Sequence, residues 1–263
     1  MIELSEVAVD IGAKCIVSGV TFGAQAGQVT DIAGPKGSGK ATLLKAMSGE
    51  WAYRGSISLA GRELRTLKPW EMAGLRAVLP QATTLAFPFT VLEIVRLGLT
   101  SGRSGVAGPA LHILAEAALE RVDLAGFAGR FYQELSGGEQ QRVQLARVLC
   151  QVWQPVLDGQ ARFLLLDEPV SSLDIKHQLI IMGIARDFAK AGGGVVAILH
   201  DLNLTAMFAD RIVMMHRGTA EAVGEPAEVL VDERISRVFE CGLRVGVTPP
   251  AGGPFVLPQS ATL

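Results

Sequence analysis

A glycine-rich loop, Gly34-Pro-Lys-Gly-Ser-Gly-Lys40, constrains the fold of this chain more than any other feature. The run Val29–Ala33 reads as a buried strand that leads into the loop, and Thr42–Ser48 follows it with helical spacing of apolar residues. The loop matches the pattern G-x-x-x-x-G-K, in which backbone N–H groups cradle phosphate oxygens and the lysine reaches the outer phosphates. We therefore predict an α/β fold with a phosphate-binding site at the carboxyl end of a strand.

The residue after the loop lysine departs from the full pattern. The pattern has Ser or Thr there, whose hydroxyl ligates Mg²⁺, whereas this chain has Ala41. Thr42 comes one position later, a rotation of about 100° on a helix, so its hydroxyl does not simply substitute. Because Mg²⁺ commonly keeps several waters, we expect nucleotide binding to persist and hydrolysis to be slower. The residues expected to surround the phosphates are Gly34, Pro35, Lys36, Gly37, Ser38, Gly39, Lys40, Ala41 and Thr42.

Two further predicted strands end in side chains that suit phosphoryl chemistry. Asp167 and Glu168 follow the buried run Phe163–Leu166. His200 follows the run Val195–Leu199. Because the carboxyl ends of parallel strands meet at one edge of a sheet, we expect all of these groups to share one site with the glycine loop. Asp167 can hold Mg²⁺, and Glu168 can orient or deprotonate an attacking water.

The string Leu135-Ser-Gly-Gly-Glu-Gln-Gln-Arg-Val143 has two compatible interpretations. Ser136 and Glu139 have the spacing of a capping box, which begins a helix. Ser136 with the N–H groups of Gly137 and Gly138 would also form a second phosphate-binding helix end.

The chain divides into an α/β core at about 1–78 and 155–235, a mostly helical part at about 79–154, and a tail at 236–263, of which the proline- and glycine-rich part from Val247 is expected to be loosely held. The first strands, up to about residue 22, are expected to pair with turns between them. The net charge of −2 argues against a protein that coats nucleic acid. The apolar stretches have strand length, so we predict no span of a bilayer.

Five sequence features stand in the order and spacing of the ATP-binding-cassette (ABC) ATPases, which the chain resembles over roughly residues 1–230. They are GPKGSGK at 34–40, LSGGEQQRV at 135–143, LLLDEP at 164–169, SSLD at 171–174 and the lone His200. Gln81 resembles the glutamine-loop residue of that family. The resemblance implies a P-loop NTPase (RecA-like) core with an N-terminal antiparallel β subdomain and an inserted α-helical subdomain.

By this resemblance, ATP and Mg²⁺ are the cofactors, and two copies of the chain sandwich two ATP molecules head to tail. The implied catalytic residues are Lys40, Gln81, Glu168 and His200, and the implied Mg²⁺ ligands are Asp167 and Gln81. These groups of one copy would face Ser136 and Gly138 of the other. Family members often stack adenine on an N-terminal aromatic residue, and none lies near Ile11 and Gly12.

Shorter strings at 67–70, 78–83, 86–89 and 199–204 look like iron-chelate importers, and the extra loop at 152–161 looks like their haemin-importer branch. This implies the ATP-binding subunit of a haemin importer at the cytoplasmic face of the inner membrane. Its partners would be two permease subunits and, through them, a periplasmic haem-binding protein. Phe87 and Phe89 would either contact a permease or pack in the core.

Other functions stay open on the sequence alone. A ferric-siderophore or cobalamin importer would use the same ATPase subunit design. Ala41 allows a cassette that binds ATP and hydrolyses it weakly. A soluble cassette that acts on DNA or ribosomes usually carries two cassettes or long coiled-coil insertions, which this chain lacks.

Overall fold

The computed structural model of the protein describes residues 1–81, 87–101, 104–106, 108, 110–248 and 252–261, without the side chains of residues 101 and 112. Two larger sheets and a short hairpin make up its β structure. Helices cover one part of the chain between two strands of the larger sheet. This arrangement confirms the predicted α/β fold with an antiparallel β subdomain and inserted helices.

The smaller of these two sheets is antiparallel and has the strand order β2-β1-β4-β5. Its first two strands form a hairpin in which Ile11 pairs with Lys14 across the Gly12 turn, where φ is +61°. Alternation of buried and exposed residues at the start of β1 places Ile2 and Leu4 in the core. The strands are β1 (Ile2–Ile11), β2 (Lys14–Ala24), β4 (Arg54–Leu59) and β5 (Arg62–Glu63).

The larger sheet has the strand order β12-β11-β3-β10-β9-β6 and is parallel except for β12 at one edge. Every residue of β3, β9 and β10 is buried, as expected for parallel strands covered on both faces. These three strands are direct neighbours, so the segments that follow them meet at one edge. The strands are β3 (Val29–Ala33), β6 (Arg76–Leu79), β9 (Phe163–Asp167), β10 (Gly194–Ile198), β11 (Arg211–His216) and β12 (Thr219–Gly224).

Helices pack against the sheet and against one another. The longer helices α3, α4 and α5 lie between β6 and β9 in the chain and share one apolar core. The loop predicted at 152–161 contains a two-stranded hairpin of β7 (Val156–Leu157) and β8 (Gln160–Ala161). The helices are α1 (Lys40–Ser48), α2 (Pro69–Leu75), α3 (Val91–Ser101), α4 (Ala110–Arg121), α5 (Gly137–Gln151), α6 (Ile175–Lys190), α7 (Leu202–Phe208), α8 (Pro226–Val229) and α9 (Asp232–Phe239).

One short turn of the C-terminal tail packs on the rest of the chain. A 3₁₀ turn at Pro258–Ser260 lies against α7, where Pro258 is buried and the Gln259 side-chain amide is 3.3 Å from Oδ1 of Asn203. Burial of the apolar Pro258 ring stabilises the contact between this turn and α7. Within the described part of the chain, no helix has both the length and the apolar character that a bilayer crossing requires.

Candidate functional site

The glycine loop takes its shape from two neighbouring strands. A side chain at Gly34, where φ is +141°, would overlap the backbone oxygen of Met215 on β11. Gly39, at φ +99°, is the N-cap of α1, and a Cβ there would lie 3.1 Å from the backbone oxygen of Ile16 on β2. Only glycine fits both positions, so packing fixes the loop in an open, phosphate-accepting shape.

Lys40 lies inside this loop. Its Nζ donates hydrogen bonds to the backbone oxygens of Gly34 at 2.7 Å and Pro35 at 2.9 Å. Burial lowers the pKa of Lys40, and the charge of Glu168 is the largest influence that opposes this shift. The ammonium group is therefore held where an anionic ligand would gain most from it.

The two carboxylates at the end of β9, Asp167 within the strand and Glu168 directly after it, have different surroundings. Asp167 is buried, and its Oδ1 has no hydrogen-bond partner. Burial, and then the charge of Glu168, raises the pKa of Asp167. Glu168 lies at φ +50°, which turns its side chain into the cleft. Its carboxylate oxygens contact Gln81 Nε2 at 2.9 Å and His200 Nε2 at 2.6 Å.

Lys40 and Glu168 line one cleft of about 950 Å³, whereas Asp167 is not among the residues that line it. Six of the nine residues at 34–42 line this cleft, and so do Gln81, Glu168 and His200. Ile11, Lys14 and Ile16 also line it. The predicted residues that line it are Lys36, Gly37, Gly39, Lys40, Ala41, Thr42, Gln81, Glu168 and His200.

A second cleft of about 420 Å³ lies at the start of α5 and shares no lining residue with the first. Ser136, Gly137 and Gly138 line it together with 172–174. The capping box is present: the Ser136 N–H donates to Glu139 Oε2 at 2.8 Å, and these contacts lower the pKa of Glu139. Within one chain, the structure therefore does not bring the second phosphate-binding helix end to the glycine loop.

One residue at this second cleft was missed by the sequence analysis. His177 has its Nδ1 2.7 Å from Asp174 and its Nε2 3.3 Å from Asp123, which precedes α5. Lys176 contacts the same Asp123 at 2.8 Å. The signal available in the sequence was a histidine three residues after Asp174, the N-cap of α6.

Comparison with known protein families matches residues 17–171, more than half of the chain, to the ABC transporter family. Among curated proteins, the chain is 68% identical over 261 residues to the hemin import ATP-binding protein HmuV of Mesorhizobium japonicum and covers 99% of both chains. It is 62% identical to the protein of the same name from Chelativorans sp., again over 99% of both chains.

Among solved structures, the chain is similar to one described as a dimeric structure of a bacterial ABC transporter cassette. The identity is 27%, the TM-score is 0.73, and the match covers 86% of this chain and 99% of that one. A structure described as the ATP-binding subunit of an ABC transporter matches with a TM-score of 0.75 at 22% identity. With the glycine loop, the carboxylates and the capped helix in place, the chain belongs to the ABC transporter family as one of its ATP-binding, ATP-hydrolysing subunits.

Proposed function

We propose that this chain is the ATP-binding subunit of a haemin importer, where ATP hydrolysis drives uptake across the inner membrane. The observation that carries this proposal is the 68% identity, over nearly the whole of both chains, to a protein named for hemin import. Residues that suit ATP hydrolysis lie together at one edge of the larger sheet, which supports the ATPase part. The proposed transport substrate, haemin, rests on the similarity to relatives that are named for hemin import.

In this proposal, the phosphates of ATP enter the glycine loop, where Ser38 is a buried residue whose hydroxyl has no hydrogen-bond partner. Lys40 turns from the loop carbonyls to the outer phosphates. Glu168 accepts a proton from the attacking water, while Gln81 and His200 hold its carboxylate and reach the γ-phosphate side of the cleft. Each of these residue roles is part of the proposal.

The residues fit Mg²⁺ in part. A divalent cation would satisfy the buried Asp167 Oδ1 that has no hydrogen-bond partner. Gln81, whose Nε2 contacts Glu168, can supply its amide oxygen, whereas Ala41 supplies no ligand atom. When bound, Mg²⁺ would neutralise charge that develops on the phosphates. We infer that Asp167 and Gln81 hold it, with water in the place of the missing hydroxyl.

We further propose a head-to-tail dimer in which Ser136 and Gly138 of a second copy close the ATP cleft. The two clefts of one chain are separate, and a related cassette at 27% identity is described as dimeric, which supports this arrangement. The dimer would bind two permease subunits at the cytoplasmic face of the inner membrane and, through them, a periplasmic haem-binding protein.

Two phenylalanines bear on the permease contact. Phe87 is 70% exposed, whereas Phe89 is partly buried against the core of the helical part. Phe87 is thus available to a partner and Phe89 serves packing. Residues 82–86, which belong to the same predicted surface, lie outside the described residues.

We retain as a proposal the division into a core at 1–78 and 155–235, a helical part at 79–154 and a tail at 236–263.

Growth experiments test the substrate. Deletion of the gene should abolish growth when haem is the only iron source and leave growth on ferric siderophores intact. The wild-type gene should restore growth on haem, and a Glu168→Gln gene should not. Loss of growth on a ferric siderophore with normal growth on haem would instead identify a siderophore importer, and a cobalamin requirement would identify a cobalamin importer.

Ala41 favours a second candidate, a cassette that binds ATP and turns it over weakly. Ala41 is exposed in the cleft, so Ala41→Ser adds a hydroxyl without disturbing packing. If the missing ligand limits hydrolysis, Ala41→Ser raises the Mg²⁺-dependent rate by roughly 10-fold, since metal stabilisation is worth several kcal/mol. Equal rates for Ala41→Ser and the wild type would show that the missing hydroxyl does not matter.

A further inference from the structure

A carboxylate lies fully buried in the middle of β3, one of the most apolar parts of the larger sheet. Asp31 has no exposed surface and lies opposite Ala197 on the neighbouring strand β10. Burial raises its pKa to about 7. A buried acid weakens the fold unless its oxygens find hydrogen-bond partners, so its partners indicate what it does.

Both oxygens of Asp31 have buried partners close to His200. Oδ1 accepts a hydrogen bond from the backbone N–H of Leu199 at 3.0 Å. Oδ2 lies 2.6 Å from the hydroxyl of Thr205 in α7. That hydroxyl also lies 3.1 Å from the backbone oxygen of Asp201, so it can donate there while it accepts from a protonated Asp31.

These two bonds flank the segment that carries His200. One precedes His200 by a single residue, and the other follows it within the first turns of α7. Asp31 itself lies three residues before Gly34, in the strand that leads into the glycine loop. Its carboxyl group therefore joins the loop strand to both sides of the histidine.

We propose that Asp31 is a positioning residue that sets the distance between His200 and the phosphate loop. The inference rests on the role proposed above for His200. Asp31 touches no nucleotide, and it acts through the backbone of Leu199 and the side chain of Thr205.

Substitutions separate this role from a simple contribution to the core. Asp31→Leu keeps the branched shape of the side chain, with methyl groups in place of the two oxygens, and removes both bonds. Asp31→Asn keeps both, because its amide oxygen accepts from Leu199 and its NH₂ donates to Thr205. Thr30→Val is the matched control, since the Thr30 hydroxyl lies buried on the same strand without a hydrogen-bond partner.

Kinetics of the purified full chain give the first readout. Asp31→Leu should lower the single-turnover ATP hydrolysis rate about 10-fold or more, with the affinity for ATP changed less than roughly 3-fold. Asp31→Asn should recover most of the rate, and Thr30→Val should match the wild type. In a His200→Ala background, Asp31→Leu should lower the rate by less than about 2-fold, because coupled residues are not additive.

Histidine NMR gives a second readout that does not depend on catalysis. The chain has four histidines, so the His200 ring signals can be assigned by substitution. Asp31→Leu should shift the His200 signals, whereas Thr30→Val should leave them in place.

Two results would overturn the proposal: unchanged His200 signals in Asp31→Leu, or an equal loss of rate in the wild-type and His200→Ala backgrounds. If His200→Ala alone keeps the full rate, the proposed catalytic role of His200 fails. The NMR comparison then decides by itself whether Asp31 positions the histidine.

Discussion

The two clefts of this chain are built in different ways. The first lies at the ends of buried strands, where Lys40 bonds to loop carbonyls and Glu168 contacts Gln81 and His200, while a buried oxygen of Asp167 has no hydrogen-bond partner. The second lies at the exposed start of α5, and the ion pairs behind it are half-exposed. A site at the ends of packed strands has its groups in place before a ligand binds. An exposed, capped helix start instead presents free backbone N–H groups to a ligand that approaches it. This difference supports the proposal that the first cleft binds ATP and that the second completes the site of another copy.

The largest effect is expected at Lys40, because its ammonium is the buried charge of the first cleft. Lys40→Ala should weaken ATP binding or hydrolysis on the order of 100-fold, as loss of a preorganised donor does. Titration with a fluorescent ATP analogue and a steady-state assay measure both quantities. Lys36→Ala, at an exposed position of the same loop, should cost only about 3-fold, because solvent screens its charge. Equal losses for the two variants would contradict the assigned difference between buried and exposed charge.

Mixing two inactive variants tests whether the clefts work in trans. Gly138→Asp should clash with Ser172 and Leu173, which lie 3.0 Å from a Cβ at that position, and should abolish hydrolysis while the chain still binds ATP. An equimolar mixture of Lys40→Ala and Gly138→Asp chains forms hybrid dimers with one intact composite site. Under random pairing, about half of the dimers are hybrids, and each hybrid has one intact site of its two. The mixture should therefore regain up to about a quarter of the wild-type rate. If the mixture is as inactive as its two components, the clefts of different copies do not form a shared hydrolysis site.

The pH dependence of stability probes the buried side of the first cleft. The folded pKa of Asp31, about 7, is higher than its ordinary value of 3.8. Between these values, the folded chain holds a proton that the unfolded chain has lost, so the free energy of unfolding decreases as the pH rises from about 4 to 7. Asp31→Asn should remove this decrease, which is on the order of a few kcal/mol. Urea unfolding at pH 5 and pH 8 measures it, and the same pH dependence in both chains would contradict the assignment.

The smallest effect is expected behind the second cleft. Asp123→Asn removes the partner of Lys176 and His177, but the Asp123 and Lys176 side chains are about half-exposed, so the loss of unfolding free energy should stay below about 1 kcal/mol. The Lys176 contact holds the pKa of Asp123 below its usual value, so this contribution is present at neutral pH and decreases as the pH falls through that lowered value. Thermal unfolding at pH 7 in low and high salt measures it. A loss much larger than predicted would show that this cluster fastens α6 to the helical part.

The sequence allowed correct predictions wherever the signal is local. The glycine loop, the carboxylates at the end of β9 and the capping box at Ser136 each depend on a few consecutive residues, and the structure has them as expected. Asp31 was missed because its partners lie 168 and 174 residues away, and only the strand order brings them together. The one available signal was an acid inside an otherwise apolar strand. The contact of Pro258 with α7 was also missed, because it is a tertiary contact that proline and glycine content does not reveal.

The central claim is that ATP in the first cleft of one copy is enclosed by the second cleft of another. Glu168→Gln keeps the size of the side chain but removes the carboxylate proposed to accept the proton, so it should slow hydrolysis and preserve the ATP-bound state. Size-exclusion chromatography with light scattering at millimolar ATP should then show a dimer that carries two nucleotides, and a monomer when ATP is left out. A chain that binds ATP fully but stays monomeric at every protein concentration would contradict the claim.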